Sequence, residues 1–332
     1  MSGGTVVLVC GTVNIDTFVR VDAFPTAGET VIATPGELSD GGHRALGGKG
    51  ANQAVAAARF AEATGAEATG ADTAATVRLI ATVGEDAAGE TALGVLRDAG
   101  VDASGVSRTT DAPTGQAFIM NDAAGENIII VTSGANTVTD PASCGDADQA
   151  DVLLAQGELT PEHSAALPAL AERTGARFVL NLAPVTTRDR ALIAAADPLI
   201  VNETEAADVL GVPRDLGLDE VLDGLAVAVG RGLATSAVVT LGAQGALVIE
   251  GDGEDERTMV ASPAVSEVVD TTGAGDAFAG TLATALAQGM ALVDAARYAA
   301  AAGSLAVRAA GAASSYAPGD AVRNLAENCA DR

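Results

Sequence analysis

The chain has a single lysine, Lys49. The rest of its 18 basic residues are arginines, set against 44 acidic residues and a net charge of −26 over 332 positions. A surface so short of cations argues against a nucleic-acid partner, because binding a phosphate backbone needs a basic face. Aromatic residues amount to 2% and tryptophan is absent, while alanine supplies much of the 48% hydrophobic content. The core is therefore expected to be aliphatic, packed closely through alanine and glycine. Cys10, Cys144 and Cys329 are widely separated, no CxxC occurs, and His43 and His163 stand far apart. Neither a disulfide framework nor a zinc site is supported by such spacing. No apolar run approaches a membrane span, and "MSGGTVVLVC" enters a strand-like run without a charged leader. A cytoplasmic protein with no membrane partner is expected.

The acidic residues are spread along the chain rather than gathered in a tail. Dispersed acidity with almost no lysine points to a surface kept soluble in high salt, where screening relieves self-repulsion. An acidic protein from a GC-rich genome would also be rich in arginine, alanine and glycine.

What the sequence does contain is a rhythm. Short β-branched runs, such as "TVVLVC" (5–10), "VRLIATVG" (77–84), "DVLLAQ" (151–156), "RFVLNLAP" (177–184), "LIVN" (199–202) and "AVVTLG" (237–242), alternate with alanine-rich helical stretches. This pattern predicts an α/β fold with a mainly parallel sheet covered by helices on both faces. Ligands of such sheets bind beyond the carboxyl ends of the strands. Two stretches break the rhythm. Residues 17–46 carry strand signals without a helix, and 114–132 read as a hairpin turning near "NDAAGEN". Together they predict a small β lid on one domain spanning 1–332. Residues 61–76 are low in complexity and read as an exposed loop.

Two common nucleotide motifs are missing. A Walker A loop fails because His43 stands where its first glycine belongs and Gly50 follows Lys49; "GAGDAFAG" (273–280) does not have dinucleotide-fingerprint spacing. "VVDTTGAGDAFAGTLATALA" (268–287) carries the strongest chemistry. A strand-like run ending at Asp270 leads into a compact turn at Gly273, Ala274 and Gly275, and an apolar helix starts at about Asp276. Free amides at such a helix start suit an anion. Asp276 could then take a proton from an attacking hydroxyl if a phosphoryl group sits there, or it could simply cap the helix.

"GGKGANQAVAAARF" and "DTTGAGDAFAGTL" resemble the two signature segments of the PfkB family of sugar kinases, and within it the ribokinases. Further similar segments follow in the expected order: "GTVNIDTFVRVDAFPTAGET", "NLAPV", "VNETEA", "TLGAQGA" and "AAGSLAVRAAGAASSYAP". The resemblance covers nearly the whole chain. It implies a ribokinase-like three-layer fold with a lid, and ATP-dependent phosphorylation of a small sugar, D-ribose at O5 foremost. Other kinases of the family, acting on nucleosides, 2-keto-3-deoxygluconate or fructose phosphates, remain alternatives, as does a non-catalytic sugar-binding regulator.

By position, the resemblance implies sugar contacts at Asn14, Asp16, Gly48, Lys49, Gly50, Asn52 and Glu158. It makes Asp276 the catalytic base and Gly273 to Gly275 its anion hole. Thr240, Leu241, Gly242, Ala243, Gln244 and Gly245 would lie beside the nucleotide, with Asn202. Asn202 and Glu205 would organise Mg²⁺ through its waters. Asp270, Thr272, Ala306, Ala309, Gly311 and Ser315 would hold K⁺. Taken alone, Asn14 and Asp16 could form a turn, the Asn202–Glu205 pair could be a solvated helix start, and Lys49 could be a surface residue. A homodimer joined through the lid is also implied. The segments near 36–46 and 61–76 look longer than in typical ribokinases.

Overall fold

The structure is a computed structural model that describes residues 4–36, 43–62, 75–124, 126–142, 149–251 and 257–330. The strands in chain order are β1 (Val6–Cys10), β2 (Asn14–Arg20), β3 (Thr34–Pro35), β4 (Arg44–Gly47), β5 (Thr76–Gly84), β6 (Val106–Thr109) and β7 (Gly115–Asn121). They continue with β8 (Asn127–Thr132), β9 (Val152–Gln156), β10 (Arg177–Asn181), β11 (Leu199–Asn202), β12 (Ser236–Thr240), β13 (Ala246–Glu250) and β14 (Arg257–Val260). The helices are α1 (Lys49–Glu62), α2 (Ala87–Asp98), α3 (Pro161–Ser164), α4 (Leu167–Thr174), α5 (Arg190–Ala194), α6 (Glu203–Leu210), α7 (Leu218–Gly230), α8 (Ala274–Ala287), α9 (Leu292–Ala306) and α10 (Gly319–Ala330).

The large sheet runs β14-β13-β12-β11-β10-β9-β1-β5-β6. It is parallel from β12 through β6, and β13 and β14 are antiparallel. Both faces are covered, as the uninterrupted apolar strands predict. Val7 and Val9 of β1 pack on the face that carries α1, α8 and α9. Leu8 and Cys10, pointing the other way, pack under α4 to α7. The three layers thus follow from the two-residue period of a strand.

Small residues let α1 and α8 approach closely. A Cβ on Gly280 would fall 2.4 Å from the Gln53 carbonyl oxygen, so only glycine fits there. This contact sets the starts of the two helices side by side.

The second sheet runs β3-β2-β7-β8, with β4 on β2. β2 pairs in parallel with β7 and antiparallel with β4, and β7 and β8 form the expected hairpin. It begins at Asn14 rather than near residue 17, because β2 follows β1 after only Gly11, Thr12 and Val13. Parts of both long segments, 37–42 and 63–74, lie outside the described residues.

Two local expectations are corrected. Val268 to Asp270 do not form a strand; Val268 and Val269 are 58% and 54% exposed, in an irregular stretch after β14. β-branched residues mimic a strand there, but no strand among the described residues pairs with them. The following helix starts at Ala274, two residues earlier than the sequence suggests. No helix among the described residues is long and apolar enough to cross a membrane.

Candidate active site

All parallel strands of the large sheet end on one edge, and the second sheet stands over that edge. α1 begins at their junction. Gly48 has φ +85, and a Cβ on Gly50 would strike the backbone of Gly11 and Thr12 at 2.5–2.6 Å. These two glycines seat the helix start directly on the β1–β2 connection. Ala51 N–H donates to the Thr12 carbonyl at 2.9 Å and fixes the approach.

α8 begins in a similar way. Gly273 has φ +77 and is the N-cap, and the first helical bond runs from Ala277 N–H to Gly273 O at 2.8 Å. The Gly275 and Asp276 amides lie ahead of that bond, in the position that favours an anion. Asp276 makes no capping bond at this turn. Its buried carboxylate instead accepts from Asn52 Nδ2 on Oδ2 at 3.2 Å and from Gln53 Nε2 on Oδ1 at 2.9 Å. Lys49 Nζ stands 3.7 Å from Oδ1. Asp276 is thus bound by side chains of α1, an arrangement that helix capping does not require.

Lys49 is the positive charge of this cluster. The carboxylate of Asp276 holds its ammonium above the usual lysine range, burial opposes this, and Glu158 and Glu205 add to the upward shift. Glu158 follows β9 and accepts from Thr12 Oγ1 and from the Lys49 backbone N–H. The sole lysine therefore stands among carboxylates brought from three separate parts of the chain, α8, the loop after β9 and α6.

Asn14 and Asp16 lie two residues apart on β2, so they share one face of a strand and do not form a turn. Asn14 Oδ1 accepts from Asn136 Nδ2 at 2.8 Å, and Asn136 Oδ1 accepts from Val13 N–H at 2.8 Å. Asp16 sits above Gly47, where a Cβ would fall 2.1 Å from its Oδ1. Burial, then the charges of Glu158 and Asp276, push its carboxyl up to about 7. Asp16 Oδ1 and Asn52 Oδ1 are buried acceptors with no partner among the described residues. Acceptors left in this state cost about 1–3 kcal/mol each, so they fit a ligand rich in hydroxyl donors.

Beyond the α8 start is a cleft of about 580 Å³. Thr240, Gly242, Ala243 and Gly245 line it from the β12 side, and Ala274 and Gly275 from the α8 side. Its remaining wall is largely apolar, including Val265, Val268, Phe278 and Val307. Leu241 does not line the cleft but is buried in the core at 5% exposure, and the exposed Gln244 does not line it either. Gly245, at φ +105, leaves no room for a side chain against the Val260 carbonyl.

Asn202 and Glu205 form a reciprocal capping box at the start of α6, each side chain accepting from the other's backbone N–H at 2.8 Å. Glu205 is nevertheless within electrostatic range of Lys49. Burial raises its carboxyl above the usual range, and Lys49 partly offsets this. Asp270 bridges two loops, accepting from Thr272 N–H at 2.9 Å and Gly311 N–H at 2.8 Å. Burial raises the Asp270 carboxyl, but these bonds outweigh it and hold the group below the usual range. Ser315 is turned to the Ala312 carbonyl at 2.8 Å, and the Ala306 carbonyl accepts from Ala309 N–H at 3.4 Å.

Sequence reasoning missed several contributors. Gln53, Gln156 and Asn181 form a buried amide cluster behind Asp276. Gly47 makes room for Asp16, and Asn136 holds Asn14. The Tyr316 hydroxyl, buried and unpartnered, lies 2.8 Å from where a Cβ on Gly273 would be; burial, then Asp276, hold its phenol well above the usual range. One signal was available for Gln53, since a second carboxamide in the apolar run "ANQAVAAA" is out of place unless it has a buried partner.

Comparison with known proteins places these features in a wider group. Residues 5–318 match the pfkB family carbohydrate kinase. The ribokinase of Schizosaccharomyces pombe is 33% identical over 314 residues, spanning 93% of this chain and 94% of that protein. A structure of Arabidopsis thaliana ribokinase complexed with ribose and ATP superposes with a TM-score of 0.81 at 27% identity, covering 98% of this chain and 99% of that one. A Cryptococcus neoformans ribokinase in complex with ADP gives a TM-score of 0.76 at 30% identity, over 96% and 99% of the two chains.

Proposed function

Because the chain belongs to the pfkB family of carbohydrate kinases, we propose that it transfers the γ-phosphoryl group of ATP to O5 of D-ribose. It is a phosphotransferase acting on an alcohol group. The observation that carries the reading is Asp276, buried at the amide-rich start of α8 between the cleft and the unpartnered acceptors of the second sheet. Asp16, Asn14, Asn52 and Glu158 hold the sugar hydroxyls, and ATP lies in the cleft beside Thr240 to Gly245. The sugar O5–H gives its proton to Asp276 as O5 bonds to the γ-phosphorus. The bond from that phosphorus to the bridging oxygen breaks, and ADP leaves with the electron pair. The Gly273–Gly275 turn and Lys49 stabilise charge on the transferring group. A fructose phosphate would need a further cationic site, and Lys49 is already paired with Asp276.

Bound Mg²⁺ supplies charge neutralisation at the phosphates. Asn202 and Glu205 suit an ion held through water, since their oxygens are partly engaged in the capping box while Glu205 stays near the charge cluster. The 270–272 and 306–315 loops, joined by Asp270 and Gly311, suit K⁺ through oxygen donors: the Asp270 carboxylate, the Ser315 hydroxyl and backbone carbonyls. An ion there would order the neighbouring Gly273 turn. At equal ionic strength, turnover in KCl is expected to exceed that in NaCl, and Asp270→Ala is expected to abolish the difference.

The second sheet acts as a lid over the sugar and as the seam of a homodimer. In support, β8 leaves Ile129, Ile130 and Val131 at 55–57% exposure, an apolar strip that a second copy would cover. The net charge of −26 fits a cytoplasm of high salt. A coupled ADP-release assay across ribose, deoxyribose, ribonucleosides, fructose 1-phosphate and 2-keto-3-deoxygluconate tests the reading. The highest kcat/KM is expected for ribose. A higher value for any other acceptor overturns the substrate, and ribose binding without any turnover points to a sugar-binding regulator.

A further inference from the structure

The buried amides behind Asp276 form a chain with a direction. Asn181, at the end of β10, donates Nδ2 to the Ile200 carbonyl at 3.2 Å, which turns its Oδ1 toward α1. Gln53 Nε2 donates to that oxygen at 2.9 Å. Gln156, at the end of β9 and the register partner of Asn181, donates Nε2 to Gln53 Oε1 at 2.8 Å. Both faces of the Gln53 amide are thereby assigned. Its oxygen is occupied, one N–H goes to Asn181, and the other goes to Asp276 Oδ1 at 2.9 Å. Gln53, Gln156 and Asn181 are 0%, 1% and 7% exposed, so water does not compete for these bonds.

Resting on the reading of Asp276 as the base, we propose that Gln53 is a positioning residue for proton transfer. Fixed by Asn181 and Gln156, it acts only as a donor to Oδ1 and leaves Oδ2 to receive the proton from the sugar. Asn52 donates to Oδ2, and its own unpartnered Oδ1 is open to the sugar. The carboxyl ends of two sheet strands thus set the rotation of a carboxylate carried on α8, through a residue of α1. The charged and titratable groups facing Asp276 are Lys49 on α1, Asp16 on β2, Glu205 on α6 and Tyr316 near the C-terminal end. All of them remain in a Gln53→Met variant, so a change in its turnover reports the lost amide.

The test measures kcat and ribose KM for the full chain, Gln53→Met, Gln156→Met and Asp276→Asn. Gln53→Met is expected to lower kcat by about 10–100-fold, as for a mispositioned reacting group. Its ribose KM is expected to stay within about threefold, because the lost contact acts on the transition state more than on bound sugar. Gln156→Met removes the bond to Gln53 Oε1 and none to Asp276, and is expected to lower kcat in the same direction by less. If both variants fold and keep the parent's kcat, or if ribose KM rises in step with the fall in kcat, the proposal falls. If Gln53→Met does not fold, the kcat of Gln156→Met decides. Asp276→Asn separates the two ideas: near-parent turnover there removes the base itself, whereas its inactivity beside a Gln53→Met with the parent's kcat removes only the positioning role.

Discussion

Asp276 and Asp16 face the same site from opposite sides, and the protein treats the two carboxylates in opposite ways. Asp276 accepts from Asn52 and Gln53 and has Lys49 beside it. Asp16 keeps one buried oxygen without a partner and is pushed to about 7 by burial and by its carboxylate neighbours. One acid is held ready by the fold, and the other waits for donors that a ligand must bring. The contrast separates the machinery of proton transfer from the machinery of recognition.

The most severe way to break this contrast is Asp276→Asn, which keeps the shape but removes the proton acceptor. Turnover is expected to fall by about 10²–10⁴-fold, the usual cost of losing a general base. Ribose and ATP binding, measured calorimetrically, are expected to remain. Strong binding with normal kcat would place the acceptor elsewhere.

A milder challenge is Lys49→Arg. Arginine serves at every other basic position of the chain, so a silent substitution would make the lysine incidental. Nζ fits between Asp276 and Glu158 as a compact charge, whereas a guanidinium is a longer planar fork. A loss of about tenfold in kcat is expected, in line with displacement of a charge from the transferring group. The thermal unfolding midpoint at matched salt is expected to stay with the parent.

How much of this contrast could be read from the sequence depends on the distance along the chain over which each part is assembled. The α/β layering was legible because buried parallel strands are written as unbroken apolar runs, such as those of β1 and β9. Both helix starts were legible because glycines beside a charged residue mark a tight turn. The amide chain was not legible. Gln53 meets Asn181 and Asp276 across 128 and 223 positions, and only the folded sheet sets Gln156 beside Asn181. Gly47 gave no sign of its role either, since that role depends on β4 lying opposite Asp16 on β2. Val268 and Val269 misled for the reverse reason: local composition favours a strand, but strand formation needs a neighbour.

The smallest expected effects belong to Asp16, and they sharpen the contrast because they depend on pH. Its carboxyl titrates near 7 in the folded protein instead of near 3.8. Only the ionised form accepts from two or more sugar hydroxyls, so the binding-competent fraction grows as pH rises through 7. Between pH 6 and pH 8 the ribose KM is expected to fall by up to about tenfold, since apparent affinity scales with that fraction. Stability should run the other way. From about pH 4 to pH 7 the folded state retains a proton that the unfolded chain has released, so this group's contribution declines as pH rises across that window and levels off above it. Asp16→Asn removes the term. Relative to the parent, its unfolding midpoint is expected to match near pH 4 and to lie several degrees higher at pH 8. In the same variant the pH dependence of ribose KM between 6 and 8 should flatten. A parent KM that is flat across this range would show that Asp16 is already ionised before sugar arrives, and that both carboxylates are satisfied by the protein alone.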